Sequence, residues 1–150
     1  MELREVEEGD LPTFYEHQRD PEASRMAAFV PRERAAFFEH WHTKILGDPA
    51  VLARTIIHEG RVVGYVASFT REGQRLACYW IGRDCWGLGL ASEALIAFVK
   101  RVDLERPLDA MVATANVGSI RVLEKGGFEA MPNSCVLGGD GVEEVCFRLR

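Results

Sequence analysis

Two short stretches hold the residues whose types and spacing suit chemistry. The first is Trp86-Gly87-Leu88-Gly89-Leu90-Ala91-Ser92, two glycines lying where a strand pattern ends and a helix pattern begins. A helix start leaves backbone N–H groups without intrahelical partners, and the peptide dipoles add partial positive charge there. Glycine keeps side chains out of the way, so such a loop suits phosphate or pyrophosphate. The Ser92 hydroxyl is either a further donor or only a helix cap. The second stretch opens with Asn116 and Ser119 and continues to Arg121 and Lys125. Asn116 stands where an N-cap is needed, and Ser119 places one hydroxyl in the first helical turn.

Two well-known phosphate loops do not fit. A Walker A loop requires G-x-x-x-x-G-K-S/T, and no lysine follows here. A dinucleotide fold requires G-x-G-x-x-G inside a parallel sheet, whereas Gly87-Leu-Gly89-Leu-Ala91 follows an antiparallel meander. From the glycines alone, a loop that merely turns the chain is an equal reading.

The elements that must position these residues follow from hydrophobic period and turn signals. Leu3 and Val6 mark a short first strand. Residues 11–20 (LPTFYEHQRD) read as a helix after Asp10 that stops before Pro21; residues 21–30 read as a turn or irregular helix. Pro31 opens a helix over residues 31–46, with Ala35, Phe38, Trp41 and Ile45 on one face, ended by Gly47-Asp48-Pro49. Residues 52–60, 61–69 and 75–82 then form a three-stranded antiparallel meander with turns at Glu59-Gly60 and Arg71-Glu-Gly-Gln74. Next come a helix with Leu90, Ala94, Leu95 and Phe98 on one face, a strand over 107–114 and a helix from Asn116 to Lys125. Residues 128–137 and 141–150 close the chain as a hairpin around Gly138 to Gly141. The fold class is mixed α/β, of the α+β type: a largely antiparallel sheet that gains one parallel pair in a β-α-β unit.

Composition sets the outer bounds. At 150 residues with 47% apolar content, the chain is expected to be one domain, 1–150, with one substantial core. A net charge of -5 argues against nucleic acid as a partner, since such modules carry a basic face. Cys78, Cys85, Cys135 and Cys146 form no C-x-x-C pair and no zinc spacing, so no metal is expected and a reducing cytoplasm fits. The charged opening MELREVEEGD is no signal peptide, and no apolar run approaches the roughly 20 residues that cross a bilayer. The expectation is a cytoplasmic protein with no membrane partner.

The two stretches together resemble the GNAT superfamily of acyl-CoA N-acyltransferases. That family's loop, Gln/Arg-x-x-Gly-x-Gly/Ala, aligns with Trp86 to Ala91, with Trp86 in the first position. The segment YWIGRDCWGLGLASEAL is similar to the branch of ribosomal-protein N-terminal acetyltransferases, and Asn116 to Phe128 resembles its N-x-x-S-x-R-V-L-E-K-x-G-F. The resemblance covers nearly all of the chain. It implies a GNAT fold, acetyl-CoA as co-substrate with no metal, and transfer of acetyl to a primary amine by direct attack. Its two central strands splay apart.

The resemblance also implies site residues. Trp86, Gly87, Leu88, Gly89, Leu90, Ala91 and Ser92 would hold the pyrophosphate. Leu88 stands where lysine is common, so backbone does most of the work. Trp80, Ile81 and Gly82 would pair with the pantetheine arm, and an N–H near Ile81 would polarise the acetyl carbonyl. Asn116 and Lys125 would contact the cofactor, Arg121 with them. Many relatives place a thiolate-protonating Tyr at the position of Leu123, which cannot do this, so Ser119 is the expected catalytic hydroxyl; its other reading is a cap. The acceptor would be a small-molecule amine or a protein N-terminus, its pocket built by the first helices, with Tyr15 or Phe29 in the lining. Glu16, His17, Asp20, His40 and His42 are the base candidates, and water is another. A homodimer is compatible with the resemblance. The missing tyrosine supports an alternative: a catalytically inactive acyl-CoA-binding sensor or interaction module.

Overall fold

A computed structural model describes residues 1–27, 30–138 and 141–150. Among these residues eight strands form one sheet: β1 (Glu2–Glu5), β2 (Leu52–His58), β3 (Arg61–Arg71), β4 (Gln74–Ile81), β5 (Leu108–Ala113), β6 (Glu129–Ala130), β7 (Val136–Leu137) and β8 (Glu143–Leu149). The order is β1-β2-β3-β4-β5-β8-β6, with β7 also on β8. Every pairing is antiparallel except β4 with β5. The mixed α/β class and the single parallel pair are therefore as the sequence implies. Among the described residues five α-helices flank the sheet: α1 (Leu11–Arg19), α2 (Pro21–Met26), α3 (Arg34–His40), α4 (Leu90–Arg101) and α5 (Val117–Lys125). Among the described residues no helix is long and apolar enough to cross a membrane.

Strand alternation sorts the side chains onto two faces. On one face, Ala77 and Ile81 of β4, Leu108, Ala110 and Val112 of β5 and Phe147 of β8 pack with Leu90, Ala94, Leu95, Phe98 and Val99 of α4 and Leu123 of α5. On the other, Leu11 and Phe14 of α1 pack with Phe37 and Trp41, against Val62 and Tyr65 of β3. Phe14, Trp41 and Tyr65 have ring centroids about 5 Å apart, within the favourable range for aromatic pairs.

Three elements differ from the sequence reading. Residues 21–26 are helical because the Asp20 side chain accepts from the Glu22 and Ala23 N–H groups and caps α2. The next helix begins at Arg34, not Pro31. Gln18 on α1 is buried and clamps the Arg32 backbone, its Oε1 accepting from the Arg32 N–H and its Nε2 donating to the Arg32 carbonyl, both at 2.9 Å. That contact is made in place of a helical turn. The helix also widens into a π turn over Trp41–Ile45; Phe37 and Trp41 are buried, Phe38 and Ile45 pack against them half-buried, and Ala35 is exposed. Finally, residues 128–137 are not one strand. Pro132, the left-handed Asn133 (φ 58°) and Ser134 interrupt it, with the Ser134 hydroxyl accepting from the Cys146 N–H in place of a ladder bond. The turn expected over Gly138 to Gly141 keeps its flanking bond, Gly138 N–H to Val142 carbonyl at 2.9 Å; Gly139 and Asp140 lie outside the described residues.

Candidate functional site

β4 and β5 pair at one position, Leu76 with Asp109, and then part. A cavity of about 520 Å³ fills the seam they leave. Its walls are residues 77–81 of β4, 110–113 of β5, the loop and first turn of α4, one side of α5, and Ala23, Met26 and Ala27. β3, the other neighbour of β4, carries a local distortion. Ile56 pairs with Gly64 and Ile57 with Val62, which leaves Val63 as an extra residue in β3. A Cβ on Gly64 would overlap the Trp80 carbonyl oxygen, so only glycine admits β4 in this position. The Gly82 N–H donates to the Val63 carbonyl at 2.8 Å and fixes the end of β4 to β3.

The loop enters α4 through two left-handed glycines, Gly87 (φ 83°) and Gly89 (φ 75°), with Gly89 as the N-cap. Neither has an atom within 4 Å of a notional Cβ. Their need for glycine is therefore conformational, and the space over them is open. Between loop and strand, the Trp86 indole N–H donates to the Ile81 carbonyl at 2.9 Å. This bond fastens the loop to the end of β4 and occupies one acceptor on that strand.

On α5, the Asn116 side chain accepts from the Ser119 N–H at 3.2 Å and caps the helix. Ser119 itself meets Tyr79 of β4. The two hydroxyl oxygens are 2.5 Å apart, and the Tyr79 hydroxyl lies 3.1 Å from the Ser119 carbonyl. Burial pushes the Tyr79 phenol up to about 12, against a smaller opposing effect of the Ser119 bond, so it is protonated at neutral pH. Each hydroxyl has one proton to give. When Tyr79 donates to Ser119 Oγ, the Ser119 proton is free for the cavity. Leu123, one turn on, is fully buried in the core.

Of the residues singled out in the sequence, Trp80, Ile81, Trp86, Gly87, Gly89, Leu90, Ala91, Ser92, Asn116, Ser119 and Lys125 all line this one cavity, and Arg121 with them. Gly82 and Leu88 do not; Gly82 is turned to β3, and Leu88 is exposed. The base candidates lie elsewhere. Glu16 pairs with Arg19, His42 with Glu8, and Asp20 caps α2. His17 stacks on Gly82, where a Cβ would stand 2.6 Å from its Nε2, and burial lowers its pKa. None of the five, His40 included, lines the cavity, nor does Tyr15, which packs on Phe37 and Phe38; Phe29 is outside the described residues. Among the lining residues that escaped sequence reasoning are three with polar or ionisable side chains. Cys78 is a thiol that burial raises to about 11, hence neutral. The others are Tyr79 and Glu144, which strand periodicity presents only as a strand former and a surface charge.

A family model described as an acetyltransferase (GNAT) domain matches residues 1–129. The chain belongs to the GNAT acetyltransferase family. Solved GNAT structures share its fold at low identity. An aminoglycoside acetyltransferase, AAC(6')-Ib, in complex with paromomycin and acetyl-CoA, is 21% identical with a TM-score of 0.79, over 99% of this chain and 92% of that one. Spermidine N-acetyltransferase from Vibrio cholerae, in complex with CoA and spermine, is 16% identical with a TM-score of 0.80, over 99% and 94%. RimL, a ribosomal L7/L12 alpha-N-protein acetyltransferase in complex with CoA, is 16% identical with a TM-score of 0.79, over 98% and 92%. No curated protein matches the chain in sequence.

Proposed function

We propose that this GNAT protein transfers the acetyl group of acetyl-CoA to a primary amine by direct attack. The observation that carries the reading is the cavity in the β4–β5 seam. It joins an open helix start at α4, an unpaired stretch of strand edge and a hydroxyl pair at Ser119 and Tyr79. A phosphate-bearing thioester needs those three things in that order.

The residues fit the cofactor. The N–H groups from Gly87 to Ser92 face the pyrophosphate, and Lys125 and Arg121 add positive charge from α5. The edge of β4 past Leu76 accepts the pantetheine amides as an added strand. Acetyl-CoA supplies an activated carbonyl on a good leaving group. Ser119 Oγ donates a hydrogen bond at the sulfur position, where negative charge develops, and Tyr79 donates to Ser119 to hold that orientation. The tyrosine missing at position 123 is replaced in part by a phenol on a neighbouring strand. The family resemblance and the acetyl-CoA, CoA–spermine and CoA complexes of its structural neighbours support acyl-CoA chemistry on amines.

The test measures thiol release from acetyl-CoA over a panel of small amines and N-terminal peptides, beside acetyl-CoA affinity by calorimetry. Amine-dependent thiol release is the expected result. Tight acetyl-CoA binding with no turnover on any amine would replace the enzyme by an acyl-CoA-binding sensor.

A further inference from the structure

The reaction proposed above needs a group that receives the proton of an ammonium acceptor, and the first-helix candidates do not reach the cavity. Glu144 does, and it is the one carboxylate among the described residues that line it. Glu144 lies on β8, directly across from Ala113, the last residue of β5. The Thr114 N–H bonds the Glu143 carbonyl at 3.0 Å and the Asn116 N–H bonds the Ala113 carbonyl at 2.9 Å. Glu144 is thereby fixed beside the strand end from which α5 departs.

Its face of the sheet is the informative feature. Tyr79 and Ile81 pack with the α4–α5 core, as do Val112 of β5 and Val145 and Phe147 of β8. Directly opposed antiparallel residues share a face, so Glu144, Ala113, Met111 and Cys146 lie on the other one, with Cys78 and Trp80 of β4. The cavity is lined from both faces. Ser119 and Tyr79 stand on one side of the open seam; Glu144 stands on the other, with Trp80, Met111 and the α2 residues Ala23 and Met26. An acetyl carbonyl in the seam would have its leaving sulfur on the first side and its attacker on the second.

Other acidic groups near that second side are already engaged. Glu16 pairs with Arg19, Glu22 with Arg25, Asp20 with Arg83 and Asp84 with Arg61. Among the described residues no hydrogen bond or ion pair engages the Glu144 carboxylate. A half-buried carboxylate with no cation paired to it, in a cavity whose cationic residues Arg121 and Lys125 stand on α5, is complementary to an ammonium that arrives from outside.

We propose that Glu144 is the catalytic residue on the acceptor side, binding the ammonium of the substrate and taking its proton. This inference rests on the acetyl-transfer reading. One N–H bond breaks and its proton passes to the Glu144 carboxylate, which returns it to water. The freed nitrogen lone pair forms the N–C bond to the acetyl carbon, and the C–S bond breaks with its electron pair left on sulfur. The nitrogen sheds a second proton and the sulfur gains one, so the products are the acetamide, CoA thiol and one released proton. The acceptor is thus a primary ammonium that reaches the seam between α2 and β8.

The experiment compares Glu144→Gln, Glu144→Asp and the exposed neighbour Glu143→Gln with wild type, on the amine that wild type acetylates best. Acid–base groups contribute about 10²–10⁴-fold. Glu144→Gln is expected to lower kcat/KM by about 10²-fold with acetyl-CoA affinity within about twofold, which also reports a folded site. Glu144→Asp is expected to recover part of the loss, and Glu143→Gln to match wild type. Turnover of Glu144→Gln within about threefold of wild type overturns the assignment while leaving acetyl transfer intact. Absence of wild-type turnover on every amine, with acetyl-CoA still bound, overturns the reading beneath it instead.

Discussion

Ser119 is a weak acid, and its value in the site depends on where its single proton points. Tyr79 decides that. If the phenol donates to the Ser119 carbonyl, the serine proton is drawn back to the phenol oxygen and nothing faces the cavity. If the phenol donates to Ser119 Oγ, the proton is presented to the sulfur position. Because burial keeps the phenol protonated, it always has a proton to give. Loss of a hydrogen-bond donor at a developing anion costs about 10²–10³-fold, so Ser119→Ala is expected to lower kcat by about 10²-fold. Tyr79→Phe, which removes an aligning bond of about 1 kcal/mol, is expected to cost about fivefold to tenfold. The Ser119→Ala/Tyr79→Phe double variant should equal Ser119→Ala alone, because Tyr79 acts through the serine. Acetyl-CoA affinity should be unchanged in all three. Additive losses in steady-state kinetics, or a Tyr79→Phe variant with wild-type kcat, would return Tyr79 to packing.

At the scale of elements, the site depends on two backbone distortions. One is the Val63–Gly64 bulge with the close approach of Trp80 to Gly64, beside a β4 that pairs with β5 at Leu76 alone. The other is the pair of left-handed glycines that starts α4 without covering its free N–H groups. Gly89→Glu is expected to reduce acetyl-CoA binding below detection by calorimetry, since it brings bulk and negative charge to the helix start. The variant also strains a left-handed backbone by about 1–2 kcal/mol, so a control is needed. Gly73, in the β3–β4 turn, has φ 79° and equally open surroundings. Gly73→Glu should carry the same strain and keep wild-type affinity. If both variants bind alike, the α4 start does not hold the phosphates.

At the scale of the whole molecule, three buried aspartates tie the sheet to its surroundings. Asp10 accepts from Arg4, from the Glu7 N–H and from Thr55 on β2. Asp103, just past α4, accepts from Ser68 of β3 and Arg75 of β4. Asp109 of β5 accepts from Arg148 of β8 and Gln74 of β4. For Asp10 and Asp103 burial pushes the pKa upward, but these bonds outweigh it and hold the group below the usual carboxylate value. For Asp109 the Arg148 bond is the largest influence, and it lowers the pKa. A carboxyl whose folded pKa is depressed stabilises the fold fully above its unfolded pKa of about 3.9, and that stability is lost as pH falls through the folded value. Tm should therefore decline gently from pH 7 to about 5, where half-buried His17 and His40 resist the protonation that the unfolded chain accepts, and fall steeply below about 4 as the aspartates protonate. Asp103→Asn should lose about 3–5 kcal/mol at pH 7, because Arg75 is left buried without its partner, and should show a shallower acid limb. An acid limb identical to wild type in that variant, followed by calorimetry, would remove Asp103 from the account.

What was legible in the sequence is what is local. The glycine loop, the Asn116 cap, the apolar face of α4 and the meander are written within a few residues of themselves, because backbone conformation and hydrophobic period are short-range properties. Together they implied the fold class, and most of the site residues they pointed to line one cavity. The tertiary structure alone decided the rest. It set Tyr79 on Ser119 across forty positions of chain. It required glycine at 64 because another strand's carbonyl sits there, and it moved a helix start because Gln18 holds Arg32. It also turned one of two adjacent glutamates, Glu144, into the cavity while leaving Glu143 exposed. Each of these depends on which segments meet and in what register, and residue type does not encode a partner that lies far along the chain.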